Sequence, residues 1–397
     1  MEKLTIDDLD LAGKKVLVRV DFNVPIADGK VANDKRIVAS LPTVKKIIES
    51  GGRAVLMSHL GRPNGEPEPQ FSLRPVAEKL SELLENDVKF VDDCVSDEAF
   101  EMSSGLKDSE ILLLENLRFY KGEKKNDSEF AKKLAGHGEV YVNDAFGTAH
   151  RAHASTAGVT SYFDKAAAGY LMVKEIEYLG KALESPEKPF AAILGGAKIS
   201  GKIDVIMNLM DKVDMIFIGG GMAFTFFKAQ GYEIGKSLLE EDKLDLAKEI
   251  LSKVEDRKLK FFLPVDSVCA PELKRDAETE VYDVKDMPSD QMGLDIGPRT
   301  LDLYKNELKG TKTIVWNGPM GAFEYADFAE GTIEIANYLA KLTDDGAITI
   351  IGGGDSASAV TNAGVADKLS HISTGGGASL EFLEGKTLPG LDALTDK

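Results

Sequence analysis

Seven of the ten arginines, Arg19, Arg36, Arg53, Arg62, Arg74, Arg118 and Arg151, lie in the first 151 of 397 residues. A guanidinium offers forked N–H donors that match carboxylate and phosphate oxygens two at a time. Arg19, Asp21, Asn23, His59, Arg62, Arg118 and Arg151 each fall at or just beyond the end of an apolar run, and Arg36 follows closely. In a chain of formal net charge −18, such a set points to a pocket for a small, multiply anionic ligand. Arg53, Arg74, Arg257, Arg275 and Arg299 lack that placement and read as surface residues.

A second chemistry is carried by glycine. Thr349-Ile350-Ile351 runs into Gly352-Gly353-Gly354-Asp355-Ser356, a strand, a turn free of Cβ atoms, and two helix-capping residue types. Unpaired N–H groups at a helix start bind phosphate, and Asp355 can hold a metal ion that a nucleotide brings with it. Gly195-Gly196-Ala197-Lys198, with Lys202 after it, places two lysines where transferring phosphate oxygens could be reached. Glycine turns at 219–221 and 375–377 extend the outline of a backbone-lined nucleotide crevice.

Three tempting patterns fail. Gly196 to Lys202 fits part of a P-loop, but Ile203 stands where the magnesium-binding Ser or Thr belongs. Gly352 to Ala357 satisfies a loose dinucleotide pattern, yet too few residues follow it for the strands that pattern normally begins. His59, His150 and His153 have no cysteine or glutamate in zinc-ligand spacing, so they read as structural hydrogen-bonders or as helpers of the anion pocket.

These residues need a frame. Lys15–Val20, Ala54–Met57, Ile111–Leu114, Val140–Val142, Phe190–Leu194, Met215–Ile218, Phe261–Leu263 and Thr313–Trp316 are short β-branched or apolar runs, each followed by polar or glycine-rich residues. Helical patterns at Asp34–Ser50 and Leu73–Leu84 alternate with them, which implies parallel sheets with helices on both faces and ligands beyond the strand ends. Asp28-Gly29 reads as a hairpin or loop tip, and Gln291–Pro298 as a loop. Lys165–Leu183 reads as one helix joining two domains, stopped by Glu184-Ser185-Pro186-Glu187-Lys188-Pro189. At this length two domains are expected.

Composition narrows the class. Hydrophobic residues at 43% and charged residues at 29% describe a soluble globular protein, and no run reaches the roughly 20 apolar residues of a membrane span. The acidic balance argues against nucleic acid. Cys94 and Cys269 are far apart, and the N-terminus has no cationic-then-apolar leader, so a cytoplasmic location is expected.

The ordered set Arg19-Val-Asp-Phe-Asn-Val-Pro25, Ser58-His-Leu-Gly-Arg-Pro63, Glu115-Asn-Leu-Arg-Phe119, Gly147-Thr-Ala-His-Arg-Ala-His153, Gly195-Gly-Ala-Lys198, Trp316-Asn-Gly-Pro319 and Gly352-Gly-Gly-Asp355 resembles the phosphoglycerate kinase family over essentially the whole chain. The resemblance implies an α/β protein of two Rossmann-like domains joined by a hinge helix. Residues 1–170 would bind 3-phosphoglycerate, with 378–397 packing back on them; 171–189 would be helix and linker, and 190–377 would bind nucleotide. It implies substrate contacts at Asp21, Phe22, Asn23, Arg36, His59, Leu60, Gly61, Arg62, Arg118 and Arg151. Nucleotide contacts would fall at Lys202, Gly293, Glu324, Gly353, Gly354, Asp355 and Ser356, with Asp355 facing Mg2+. Arg36, Lys198, Lys202 and Gly376 would surround the moving phosphoryl group.

The implied reaction is reversible phosphoryl transfer between 1,3-bisphosphoglycerate and MgADP, giving 3-phosphoglycerate and MgATP, by a monomer whose hinge closes. A carboxylate acceptor is already ionised at neutral pH and needs no general base. Ser356 stands where the family often has Thr, and keeps the hydroxyl.

Overall fold

The computed structural model describes residues 2–397. They divide into two compact units, one made of the residues up to Glu177 with Thr387–Lys397, the other of Tyr178–Lys386.

In the first unit the strands are β1 (Lys15–Val20), β2 (Ile26–Ala27), β3 (Lys30–Val31), β4 (Arg53–Met57), β5 (Val88–Val91), β6 (Ile111–Leu114), β7 (Val140–Asp144) and β8 (Ala166–Ala168). Six of them form a wholly parallel sheet in the order β5-β6-β4-β1-β7-β8. Their runs are apolar on both faces because helices cover both faces of such a sheet. Val16, Val18, Val20, Leu56 and Leu113 share one core with Ile37 and Val44 of the Lys35–Glu49 helix and with Val76 and Leu80 of the Arg74–Leu84 helix. β2 and β3 form a two-residue hairpin whose tip residues, Asp28 (φ 50°) and Gly29 (φ 71°), are both left-handed, as the twist of a tight hairpin requires.

The second unit contains β9 (Phe190–Leu194), β10 (Met215–Ile218), β11 (Lys260–Phe262), β12 (Asp266–Ala270), β13 (Glu280–Asp283), β14 (Met292–Ile296), β15 (Thr313–Asn317), β16 (Ile348–Gly352) and β17 (His371–Ile372). Six make a second parallel sheet, β11-β10-β9-β15-β16-β17. Counted in chain order this is 3-2-1-4-5-6, a doubly wound arrangement whose order reverses between β9 and β15, where such sheets bind ligands. Ala191, Ile193, Phe217, Trp316 and Ile351 build its core with Ile335 and Leu339 of the Glu330–Asp344 helix.

Four expectations are corrected. Lys165–Leu183 is not one helix: Ala166–Ala168 pairs with β7, and helix begins only at Tyr170, behind Gly169, with a wide turn at Ile176–Gly180. Alanine favours helix, but pairing with β7 and burial against the sheet override that local preference. Gln291–Pro298 is not all loop, since Met292–Ile296 pairs antiparallel with β12 in a separate three-stranded sheet, β13-β12-β14. Asp355 and Ser356 are not caps. Gly353 holds the cap position, and they lie in the first turn of the Gly354–Asn362 helix. Finally, residue 378 does not begin the returning segment. The Gly377–Leu383 helix lies in the second unit, where Asn208 Nδ2 donates to Leu383 O at 2.7 Å. Only Thr387–Lys397 belongs to the first unit, anchored by Gly390 N to Ala149 O at 2.8 Å and by a bridge between Lys3 and Asp396.

Candidate active site

Register brings the first cluster together. Arg19 lies level with Met57 of β4 and Asn143 of β7, so the segments that follow, 21–25, 58–63 and 145–153, leave the sheet side by side. Arg36, in the first turn of the Lys35–Glu49 helix, donates from Nη1 to Asp21 Oδ2 at 2.7 Å. Phe22 N donates to Ser58 Oγ at 2.9 Å, and Gly61 N to Asn23 Oδ1 at 2.8 Å. Arg118 Nη1 reaches Gly61 O at 2.7 Å. Asn116 holds the same loop from behind, accepting from Leu60 N at 3.2 Å and donating to Leu60 O at 2.7 Å. Phe22 and Leu60 are buried, and their backbone groups are taken up by Ser58 and Asn116, so both hold the loops in place behind the rim. Gly61 has φ 63°, and a Cβ there would sit 2.3 Å from the Phe71 ring.

Cations dominate the electrostatics of this rim, with Asp21 and Glu123 as the opposing carboxylates. Burial, together with the charges of Arg19, Arg118 and Arg36, holds His59 well below its ordinary pKa. His153 falls to about 4 by burial and the charges of Arg19, Arg118 and Arg151. Arg118 falls to about 10, chiefly by burial, with Arg19 and Arg62 adding to it. Five arginines therefore act on one small region. Arg62 and Arg151 are exposed there, whereas Arg19 is fully buried. Arg19 is therefore a scaffold residue and cannot be an open anion ligand.

The second cluster sits where the strand order of the other sheet reverses. Asn317, the last residue of β15, lies level with Leu194 of β9 and Gly352 of β16. Gly195 N donates to Asn317 O at 3.0 Å, and a Cβ on Gly195 would lie 2.1 Å from Pro319 O. Only glycine permits that approach of two loops. Lys202, just before the Ile203–Leu209 helix, donates from its ammonium to Asn317 Oδ1. Burial lowers Lys202 to about 8, against the opposing pull of Asp355 and Glu384.

Asn317 Nδ2 is buried with no hydrogen-bond partner. A Cβ on Gly352 would be 3.0 Å from it, and one on Gly353 3.5 Å. A donor left unpaired beside a glycine loop suits an incoming oxygen. Ser356 Oγ accepts from Gly318 N at 2.6 Å, which ties the β16 loop to the β15 loop, while Asp355 and Gly354 are exposed beside it. Gly376 (φ 51°) immediately precedes the Gly377–Leu383 helix, and Lys198 is exposed on the loop after β9. Gly293 is buried in β14 and donates to Ser237 Oγ at 2.9 Å. With Phe224, Phe227, Leu294 and Met320 it lines a void of about 10 Å³, room for no more than a water. The exposed Glu324 follows a turn bonded to that strand through Ala322 N and Leu294 O at 2.8 Å.

Asn317 carries no assigned role in the sequence reading. Its signal was the Trp-Asn-Gly-Pro run at a strand end, but an asparagine before glycine equally marks an ordinary turn. Asn116 and Ser58 are hidden because a short polar residue at a strand end equally serves as an ordinary cap or turn residue.

A parallel α/β frame with a guanidinium rim on one sheet and an ammonium and glycine loops on the other defines an enzyme that handles phosphorylated, nucleotide-type ligands. The family model for phosphoglycerate kinase matches residues 6–386. Phosphoglycerate kinases of Chlorobium chlorochromatii and Prosthecochloris aestuarii are 58% and 57% identical over 397 residues, covering 100% of both chains in each comparison. Solved phosphoglycerate kinase structures from Coxiella burnetii (TM-score 0.91, 44% identity) and Pyrococcus horikoshii OT3 (TM-score 0.84, 35% identity) each cover 98% of both chains. The chain belongs to the phosphoglycerate kinase family. It is therefore a kinase of glycolysis, with phosphoglycerate and an adenine nucleotide as substrates.

Proposed function

We propose that the rim of the first unit binds 3-phosphoglycerate or its acyl phosphate, that the glycine loops of the second bind ADP or ATP, and that transfer is in-line between them. Arg36, Arg62, Arg118 and Arg151 supply guanidinium forks for a carboxylate and a phosphate, and Asp21, Asn23 and His59 offer polar groups to the glycerate. Arg36 serves both substrate and moving phosphoryl group. On the nucleotide side the segments carrying Gly293 and the exposed Glu324 are the ones that meet the nucleoside. Gly353, Gly354 and Ser356 frame the phosphates.

The observation that carries this reading is the half-buried Lys202 ammonium held on Asn317 Oδ1 at the reversal of strand order, beside the unpaired Asn317 Nδ2. Lys202, with Lys198 and the amides around Gly376, would stabilise charge on the transferring group, which is what such a reaction asks of a protein once its ligands are aligned. The exposed Asp355 carboxylate, a hard oxygen donor on the helix behind the glycine loop, fits magnesium carried in with the nucleotide. The ion would supply charge neutralisation at the phosphates when bound.

Because donor and acceptor rest on different units, the productive state requires closure about the stretch near residues 165–189. We infer also a cytoplasmic monomer without nucleic-acid or membrane partners. Two buried free cysteines suit a reducing compartment and the net charge of −18 disfavours nucleic acid; among the described residues no helix is long and apolar enough to cross a membrane. Calorimetric titration of each ligand into the parent and into Lys202→Ala tests the assignment. The variant should lose nucleotide affinity and turnover while binding 3-phosphoglycerate normally. Unchanged nucleotide affinity and turnover would overturn the Lys202 role.

A further inference from the structure

Arg19 is among the largest fully buried side chains of the protein, and each of its hydrogen bonds has only one possible direction. A guanidinium donates and cannot accept. Nε donates to Ser155 Oγ at 2.8 Å, Nη1 to Val20 O, and Nη2 lies 3.1 Å from His59 Nδ1. Ser155 Oγ, receiving from Arg19, passes its own proton to Glu123 Oε1 at 2.6 Å, and Glu123 also accepts Ser155 N at 3.0 Å. Glu123 and Ser155 are fully buried too, and His59 is 4% exposed. The buried cation is thus balanced by a buried carboxylate through one hydroxyl, an arrangement that satisfies both charges.

The consequence falls on His59. Nδ1 faces a donor, so it must present its lone pair, and a single ring proton is left for Nε2. Among the described residues Arg19 is the one hydrogen-bond partner of the ring. We propose that Arg19 is a positioning residue that fixes His59 as the neutral Nε2–H tautomer, so that His59 serves the anionic substrate as an oriented hydrogen-bond donor instead of as a cation. The depression of His59 by burial and by Arg19, Arg118 and Arg36 agrees with a neutral ring. His153, the other titrating group that acts on it, is itself lowered to about 4. The substrate half of the proposal rests on the reading of this rim as the 3-phosphoglycerate site; the tautomer does not.

Long-range proton–nitrogen correlation spectra of the nitrogen-15-labelled full chain without ligand read the tautomer directly, with His59 assigned by loss of its signals in His59→Gln. The expected result is a protonated Nε2 and an unprotonated Nδ1, unchanged from pH 8 to pH 6. A proton on Nδ1, or a doubly protonated ring at pH 7, overturns the proposal. In Arg19→Gln, whose amide can both donate and accept, the two tautomers should mix. The KM for 3-phosphoglycerate should then rise about tenfold, the scale of one hydrogen bond to a charged group, with the KM for nucleotide unchanged. An unaltered KM for 3-phosphoglycerate in a folded Arg19→Gln also overturns it. If that variant does not fold, the parent spectrum still decides. If the parent shows no affinity for 3-phosphoglycerate, the assignment of the rim fails while the tautomer is judged separately.

Discussion

A lysine must hold its proton to stabilise phosphate charge, and burial depresses the half-buried Lys202 to about 8. Its useful form is the protonated one, so kcat/KM for nucleotide should fall as pH rises through about 8, and Lys202→Arg should remove that limb because a guanidinium stays charged. A flat profile to pH 9.5 in the parent would exclude Lys202 from the reaction. Asn317→Ala removes both the acceptor for Lys202 and the free Nδ2 donor, and should lower kcat by about 100-fold, the effect of losing one preorganised donor; steady-state rates check it. At this scale, unusual charge and placement are what a sequence can show. Arg36, His59, Lys202 and Asp355 stood out because charge or placement was unusual for their neighbourhood. Arg19 was misjudged for a physical reason: sequence position gives the strand end but not the burial of the side chain. Asn317 was missed because asparagine beside glycine has a common structural use.

The elements that hold these residues owe much to groups with no part in the reaction. His137 is fully buried, bonded through Nδ1 to Ser103 Oγ at 2.9 Å and through Nε2 to Cys94 O at 3.0 Å, and stacked on Phe100. Burial lowers it from 6.5 to about 4. A depressed histidine stabilises the fold above its unfolded pKa and loses that contribution as pH drops below it. Urea unfolding at pH 5 should therefore show about 2 kcal/mol less stability from this ring than at pH 7.5. His137→Phe should flatten that acid slope in part, and an identical slope would count against the assignment. Gly195→Ala drives a Cβ into a backbone oxygen and should cost about 2 kcal/mol in the same experiment. Strands of continuous Val, Ile and Leu, and helices ended by Gly, were legible from the sequence. Ala166–Ala168 and Met292–Ile296 were not, because their strand character comes from partners distant in sequence. The Gly377–Leu383 helix was assigned to the wrong unit because an amphipathic segment does not say which surface will cover it.

For the whole molecule, an acceptor on one unit and a phosphoryl donor on the other would have to meet by closure. Small-angle scattering should report a smaller radius of gyration with both substrates bound than with either alone, and an unchanged radius would remove closure from the mechanism. The most direct test is chemical. The parent and Arg36→Ala would be assayed with 3-phosphoglycerate and MgATP, the acyl phosphate being followed by coupling to a reducing dehydrogenase. The expected result is turnover in the parent and a loss of about 100-fold or more in the variant, with nucleotide affinity intact. Equal rates in the two proteins, or no turnover in a parent shown to bind both ligands, would contradict it.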